Sequence, residues 1–339
     1  MRRGLILRGA VSVSLLGYLL AQVGWRTVWD ELRRAHAGYL ALNVALALAA
    51  TCVSALKWHA LARSRGIGVT LPRCVGLYLV GGYFSQFLPT IVGGDVVRAY
   101  ELGKSTGRHA DALASVLMER YTGMATLVAL SGLALAARPD FLTEPLLPLA
   151  VLLGALVVTG LGVAVCRPFG LDLVERALPV PPVRGFAVRL RLVRRALRSY
   201  RAAPRAVLVS IAYSVLFYGT VVLVVHTGAA ALGQHLALAT LAVTVPFLLL
   251  LMAAPISIGG IGVQEWAYYF MLAKVGVPVG VGLSLGLVVR VRTLAFGILG
   301  GVVYLLIESA PPKAVAKTAA AVAAGPPPVP GQLRDSSRV

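Results

Sequence analysis

Long apolar runs alternate along the chain with short polar segments, which is the pattern of a helical protein that crosses a membrane several times. A helix needs about 20 mostly apolar residues to cross the hydrocarbon core of a bilayer. The sequence therefore predicts an all-α polytopic membrane protein with about six full spans. The runs that predict these spans are Leu5–Val23, Tyr39–Leu56, Ala112–Ala137, Pro145–Cys166, Ala206–Leu232 and Gly276–Ile307.

Two further apolar runs do not have the form of a simple span. Cys74–Leu88 is short and contains glycines, and Leu236–Ala254 leads into a cluster of proline and glycine. Non-helical backbone at membrane depth must line a cavity or be buried in protein. These two runs predict re-entrant or broken helix hairpins.

The two hairpins share a sequence pattern. FLPTIVGGDVVRAYEL and AAPISIGGIGVQEWAYYFML each contain a proline, then three residues, then a glycine pair, so that the prolines and the glycine pairs align at one common offset. We expect the hairpin tips at Pro89, Gly93 and Gly94 and at Pro255, Gly259, Gly260 and Gly262. Interrupted apolar segments at corresponding positions of two halves are typical of a transporter binding site. The prediction is an inverted-topology repeat with halves at roughly 39–137 and 206–305.

The distribution of basic residues predicts the orientation of the chain. With both hairpins turning back, the loops 57–73, 98–108 and 167–205 face the cytoplasm, and 24 of the 32 Lys and Arg residues lie on that side against 5 outside. This agrees with the positive-inside rule, whereas a full crossing at Cys74–Leu88 would place the ten arginines of 167–205 outside. We therefore expect cytoplasmic termini, and one hairpin entering from each side.

Composition narrows the function classes. Hydrophobic residues make up 58% of the chain and charged residues 13%, whereas soluble proteins carry about 25% charged residues. The net charge of +19 lies mainly in loops, which favours an acidic lipid surface over nucleic acid as partner. The cysteines and histidines have no metal-ligand spacing, so no metal and no cofactor are expected. We interpret 1–308 as one transmembrane domain, with 167–205 as a basic cytoplasmic linker and 309–339 as a disordered cytoplasmic tail.

Several charged residues fall inside the apolar segments, where each costs about 2.5 to 3.5 kcal/mol. In one interpretation they only pair with one another and hold the halves together. In the other, the arginines hold a phosphate, which suits the planar guanidinium, and the carboxylates balance charge, receive a cationic headgroup or carry a proton. The candidate substrate-binding residues are Asp95, Arg98, Glu119, Arg120, Glu265, Arg290 and Arg292.

These motifs resemble those of the lysylphosphatidylglycerol synthase transmembrane (flippase-like) family. The matching segments are Leu88-Pro89 to Arg98, Glu119-Arg120, and Pro255 to Glu265, within a likeness that covers roughly 5–308. The resemblance implies a bacterial cytoplasmic-membrane protein, and in well-known members this region flips aminoacylated phosphatidylglycerol. Relatives without the synthase domain are linked to other lipids, including polyprenyl-phosphate sugars. No foldable domain is expected after Glu308, so we do not expect an enzyme.

The leading expectation is a flippase or scramblase that moves an anionic or zwitterionic lipid headgroup. The headgroup could belong to a phospholipid, an aminoacyl-phospholipid or a lipid-linked sugar. One alternative is a non-transporting membrane partner of a glycosyltransferase or lipid-modifying enzyme. A membrane-embedded transferase and a transporter of small ions or amino acids are further alternatives. Membrane lipids are the expected partners in the leading case, and a homo-oligomer is compatible with the sequence.

Overall fold

The computed structural model describes residue 18 and residues 24–87, 93–166, 194–253, 257 and 259–308. Throughout this part of the chain the regular secondary structure is helical. The first half contains α1 (Trp25–Arg33), α2 (Ala37–Ser64), α3 (Leu71–Phe87), α4 (Gly93–Thr106), α5 (His109–Ala137) and α6 (Leu146–Cys166). The second half contains α7 (Pro204–Ala231), α8 (Leu238–Met252), α9 (Val263–Ala273) and α10 (Val279–Glu308).

Four of these helices, α2, α6, α7 and α10, are long and apolar enough to cross a membrane. Helix α5 has 29 residues but carries Asp111, Glu119 and Arg120 and does not belong to that group. The expected first span, Leu5–Val23, lies outside the described residues except for Tyr18, which is helical. Most of the basic linker (167–193) and the tail (309–339) also lie outside them. The total of about six spans stays a prediction.

Two helices extend beyond the boundaries that hydropathy indicates. The expected span ended at Leu56, but α2 continues to Ser64, so Lys57 and Trp58 are helical. Likewise residues 98–106, which we expected in a loop, belong to α4. Lys57 and Arg98 do not end these helices because their side chains are buried against partners inside the protein.

Separate helices lie on either side of both predicted breaks. Helices α3 and α8 end at Phe87 and Met252, and the next helices begin at Gly93 and Val263. The four helices that flank the breaks have 11 to 17 residues, which is too short for an ordinary span. Pro89 and Pro255 lie outside the described residues. That each pair forms a re-entrant hairpin stays a prediction.

The order long, short, short, long occurs twice, but the offset between the two series is not constant. Helices α7 and α8 follow α2 and α3 at one common offset, whereas α9 and α10 follow α4 and α5 at a slightly larger one. The chain from the start of α8 to the start of α9 is therefore longer than its counterpart from α3 to α4. The two glycine pairs, which we expected to be equivalent, differ for this reason. Gly93 and Gly94 begin α4, but Gly259 and Gly260 precede α9 with φ of +57° and +72°.

Each half packs one of its short helices against a long helix of the other half. Helix α2 lies along α7, α3 packs on α10, and α8 packs on α5. The α3–α10 contact depends on small residues, as is common where lipid provides no hydrophobic driving force. A Cβ added to Gly300 would lie 2.0 Å from the backbone oxygen of Leu79.

The same packing brings the two helix breaks together. The Gln86 side chain, one residue before the end of α3, donates a hydrogen bond to the Thr293 carbonyl of α10 at 3.0 Å. A Cβ placed on Gly259 would lie 3.6 Å from the Gln86 carbonyl oxygen. The backbone at the first break therefore lies beside the glycine segment of the second.

Candidate functional site

Asp95 lies in the first turn of α4 and binds two arginines. Its carboxylate accepts hydrogen bonds from Arg120 Nε and Nη2 at 2.6 and 3.0 Å, and from Arg98 Nε at 3.0 Å. The start of α4 approaches α3 closely, because a Cβ on Gly94 would lie 1.9 Å from the Gly81 carbonyl oxygen. Glycine at this position therefore lets α4 place Asp95 against α5.

Arg98 is the most enclosed of the charged side chains in this region. It is 1% exposed and donates to Glu119 Oε2 from Nη2 at 2.6 Å. Its guanidinium lies 4.3 Å from the centre of the Tyr78 ring and 4.9 Å from that of Trp58, which are cation–π distances. The Tyr78 hydroxyl donates to the other oxygen of Glu119. Arg98 Nη1 is buried and has no hydrogen-bond partner among the described residues.

Lys57 brings a third cation into this region from α2. Its ammonium is buried and donates to the backbone oxygen of Glu119 at 2.7 Å. No carboxylate within the described residues forms an ion pair with it. Gly123 leaves room for the ammonium, since a Cβ there would lie 3.0 Å from Lys57 Nζ.

These side chains form the first charge cluster. It contains three formal cations and two carboxylates, and therefore one surplus positive charge. A buried charge without a counter-ion is costly in protein and more so in a bilayer. The members of the first charge cluster are Lys57, Asp95, Arg98, Glu119 and Arg120.

A second charge cluster lies at the glycine segment before α9. Glu265 accepts a hydrogen bond from the Gly262 backbone N–H at 2.7 Å and one from Arg290 Nε at 2.8 Å. Arg290 also donates to the carbonyl oxygens of Gly259 and Gly260 at 2.9 and 2.8 Å. The guanidinium thus fixes a turn in which all three glycines have positive φ, a conformation that other residues rarely adopt.

Arg292 completes the second charge cluster. It is half-buried and donates to Asn43 Oδ1 on α2 at 2.7 Å, while the Asn43 amide donates to the Val224 carbonyl at 2.6 Å. No carboxylate pairs with Arg292 within the part of the chain that the structure describes. The cluster therefore holds Arg290 and Arg292 against Glu265, again with one surplus positive charge.

The ion pairs of the two clusters occupy equivalent positions. Asp95 pairs with Arg120, and Glu265 pairs with Arg290, in both cases 25 residues apart and with two guanidinium nitrogens bound to the carboxylate. Glu265 and Arg290 follow Asp95 and Arg120 along the chain by the same number of residues as α9 and α10 follow α4 and α5. In each half a carboxylate on the short helix after the break thus holds an arginine of the next long helix.

A protein-family model described as lysylphosphatidylglycerol synthase TM region matches residues 5–301. The chain belongs to the lysylphosphatidylglycerol synthase TM region family. This confirms the resemblance that the motifs around Pro89, Glu119 and Pro255 indicated. The comparisons with curated proteins and with solved structures gave no significant match.

The structure of this family member brings the predicted site residues into two groups. Asp95, Arg98, Glu119 and Arg120 lie in the first charge cluster, and Glu265, Arg290 and Arg292 lie in the second. Of the predicted tip residues, Gly93, Gly94, Gly259, Gly260 and Gly262 are within the described residues. Contact of any of these side chains with a substrate stays a prediction.

Sequence reasoning missed three polar residues that contact the two charge clusters or belong to them. Lys57 was assigned to a loop, although the apolar residues after it indicate that the helix continues. Asn43 is one polar residue in an apolar run, and its role in holding Arg292 has no local signal. Tyr78 lies in the short run before the first break, where tyrosine is equally common at an interface. Only the fold shows that its hydroxyl meets Glu119.

Proposed function

We propose that this membrane domain moves an anionic lipid headgroup between the two leaflets, as a flippase or a scramblase. The observation that carries the proposal is the surplus positive charge of each cluster. A bound anion would neutralise each surplus charge, which is favourable because an unpaired charge is costly to remove from water. A phosphodiester carries a single negative charge and offers oxygens that match a guanidinium fork.

Arg120 is the residue best placed to meet the headgroup first. Its side chain is 58% exposed, whereas that of Arg98 on the same carboxylate is 1% exposed. Asp95 occupies Nε and Nη2 of Arg120, and Nη1 has no partner within the described residues. Arg292 is the corresponding candidate in the second charge cluster, since Asn43 occupies only one of its donors. Arg290 is the least suited, because the glycine carbonyls and Glu265 already occupy its fork.

The pathway that we propose runs between two inverted halves. The charge distribution supports an entry of α3 and α4 from the cytoplasm and of α8 and α9 from outside. The nearness of Gln86 to Gly259 supports a meeting of the two breaks inside the membrane. The headgroup would pass from one charge cluster to the other while its acyl chains stay in the lipid. Phosphatidylglycerol, its aminoacylated form and polyprenyl-phosphate sugars all carry the phosphodiester or phosphate that this pathway would bind.

Leaflet exchange in proteoliposomes tests the proposal. Vesicles would contain fluorescent phosphatidylglycerol, aminoacyl-phosphatidylglycerol or a polyprenyl-phosphate sugar, and a membrane-impermeant quencher would report the outer-leaflet fraction over time. We expect the wild type to accelerate exchange of at least one of the three. Arg120→Ala should reduce the rate by about tenfold or more, because a charge-assisted hydrogen bond contributes about 1.5 to 3 kcal/mol.

A matched control is Arg138→Ala, which removes an exposed arginine paired with Asp140 at the end of α5. It should leave the exchange rate unchanged. Arg120→Lys should retain part of the rate, since an ammonium keeps the charge but not the fork. If the wild type accelerates none of the three lipids, the proposal fails and a non-transporting partner of a lipid-modifying enzyme becomes the better hypothesis.

A further inference from the structure

The second half of the protein forms the same helices without most of the polar groups of the first. The positions of the two halves can be paired when corresponding helices are aligned from their first residues. Helices α2 and α3 then align with α7 and α8, and α4 and α5 align with α9 and α10. One pair of hydrogen bonds supports this alignment. The Thr122 and Ser210 hydroxyls form a hydrogen bond of 2.7 Å, and the positions that correspond to them carry Arg292 and Asn43, which also form a hydrogen bond. In this alignment Lys57, Tyr78, Arg98 and Glu119 correspond to Val224, Val245, Tyr268 and Val289.

The fold therefore does not need ionised groups at these positions. Val245, Tyr268 and Val289 belong to one buried apolar core, and Val224 is also buried. Exchange of a buried ion network for packed apolar residues is often neutral or stabilising. Only the ion pairs Asp95–Arg120 and Glu265–Arg290 are common to both halves among the described residues. The remaining polar groups of the first charge cluster thus have a role other than packing.

Lys57 is the least compensated of these groups. Its hydrogen bond goes to the backbone carbonyl of Glu119, no carboxylate within the described residues forms an ion pair with it, and the guanidinium groups of Arg98 and Arg120 lie nearby. Lys57 is therefore the one group of the first charge cluster that can change its charge without breaking an ion pair of the described residues. The other titratable groups that face it are Asp95 on α4, Glu119 on α5, Tyr78 on α3 and Tyr218 on α7.

The first charge cluster is electrically neutral in two states. In one, Lys57 is an uncharged amine, so that Arg98 and Arg120 balance Asp95 and Glu119. In the other, Lys57 is protonated and one monoanion is bound. A low-dielectric environment favours these two states over a state that carries net charge.

We propose that Lys57 is a proton carrier that takes up one proton when the anionic headgroup binds and releases it when the headgroup leaves. This inference rests on the proposed function and adds its coupling to protons. One water-derived proton forms an N–H bond with the lone pair of Nζ, and the reverse step returns it to water. Each monoanionic lipid would thus cross together with one proton, as a net neutral pair.

Binding calorimetry of the full chain in detergent tests this inference. The probe is dihexanoyl-phosphatidylglycerol, titrated in buffers of equal pH but different ionisation enthalpy, so that the buffer dependence of the heat gives the protons taken up. We expect the wild type to take up about one proton per bound lipid at a pH where Lys57 is uncharged in the protein without lipid. Lys57→Val, which copies Val224 of the second half, should bind more weakly and take up none.

Two further variants complete the test. Lys57→Arg keeps a permanent charge, and it should bind the probe without proton uptake. Lys104→Val changes an exposed lysine at the end of α4 and should retain the wild-type uptake. If the wild type binds the probe without uptake, or Lys57→Val and Lys57→Arg retain it, the inference is wrong and the proposed function stands. The titration is repeated with the other two lipids of the exchange assay, and if the wild type binds none of the three, both are wrong.

Discussion

At the scale of single residues, the four arginines of the two charge clusters differ in how many protein groups they bind and in how enclosed they are. Arg98 and Arg290 each serve several acceptors and are largely enclosed. Arg120 and Arg292 have unoccupied donors within the described residues, and Arg120 is also exposed. The first pair thus organises the structure, whereas the second pair remains available to an anion.

Removal of the shared carboxylate should destabilise the first charge cluster. Asp95→Asn is expected to lower the free energy of unfolding by about 3 to 5 kcal/mol, because it leaves the buried Arg98 and its neighbour Arg120 with less compensation. Chemical unfolding in detergent measures the change. Asp140→Asn breaks an exposed pair with Arg138 and should have no measurable effect. Equal effects of the two substitutions would contradict the structural role of Asp95.

The guanidinium of Arg290 should hold the glycine turn. Arg290→Lys keeps the charge but cannot reach both glycine carbonyls and Glu265, so amide exchange in 259–266 should rise by about fivefold or more. Hydrogen exchange followed by mass spectrometry measures this. Arg292→Lys is the control, because Arg292 bonds Asn43 and not the turn. A similar rise in both variants would show that Arg290 has no special role.

At the scale of the helices, close glycine contacts place the short helices that carry the clusters. Gly94 lets α4 approach α3, and Gly300 lets α10 approach α3, in both cases against a backbone carbonyl that has little freedom to move. The carboxylate of Asp95 follows Gly94 directly, so this approach sets its position relative to Arg120. Helix packing and the geometry of the site are therefore linked.

Gly300→Ala tests the contact between α3 and α10. Its methyl group would lie 2.0 Å from the Leu79 carbonyl oxygen, so the helices must separate and the melting temperature should fall. Gly132→Ala on α5 is the matched control, since a Cβ there has no atom within 4 Å. That substitution should stabilise the protein by about 0.5 to 1 kcal/mol, because alanine loses less backbone freedom than glycine. Melting curves that rank the two variants in the opposite order would be inconsistent with the packing.

At the scale of the whole molecule, the proposed inverted arrangement predicts opposite sides of the membrane for two corresponding loops. Lys104 lies near the end of α4, and Lys274 follows α9. In a background without Cys52, Cys74 and Cys166, Lys104→Cys should react with an impermeant maleimide only from the cytoplasmic side. Lys274→Cys should react only from outside. Labelling of both cysteines from one side would exclude inverted halves.

Much of this architecture follows from sequence because long apolar runs and glycine-proline breaks are local signals. The limits of α7 and α10 agree with hydropathy to within a few residues, and the helices on either side of both predicted breaks end and begin near the glycine pairs. Lys57 was misplaced because a charge after an apolar run has the same local pattern whether it ends a helix or is buried by another. The larger helix offset after the breaks was hidden because the two glycine pairs align in sequence, although only the first pair starts a helix.

The partners of each charge could not be predicted for a related reason. Sequence indicated charged residues near both breaks but left open whether they pair or bind a ligand. The structure shows that Glu119 and Arg98 pair, whereas Lys57 has no carboxylate partner among the described residues. Such pairings depend on how α2, α3 and α5 meet, at separations of 41 and 62 residues for the bonds of Glu119 with Tyr78 and Lys57.

The most direct test of the central claim is to locate a lipid headgroup on the protein in a bilayer. Phosphatidylglycerol with a diazirine on its glycerol headgroup would be photolysed in proteoliposomes, and the adducts mapped by mass spectrometry. We predict adducts on the peptides that contain Arg120 and the glycine turn 259–262, with loss of the former in Arg120→Ala. Adducts confined to the lipid-facing surface of α6, with both of those peptides unlabelled, would contradict a headgroup pathway through the two charge clusters.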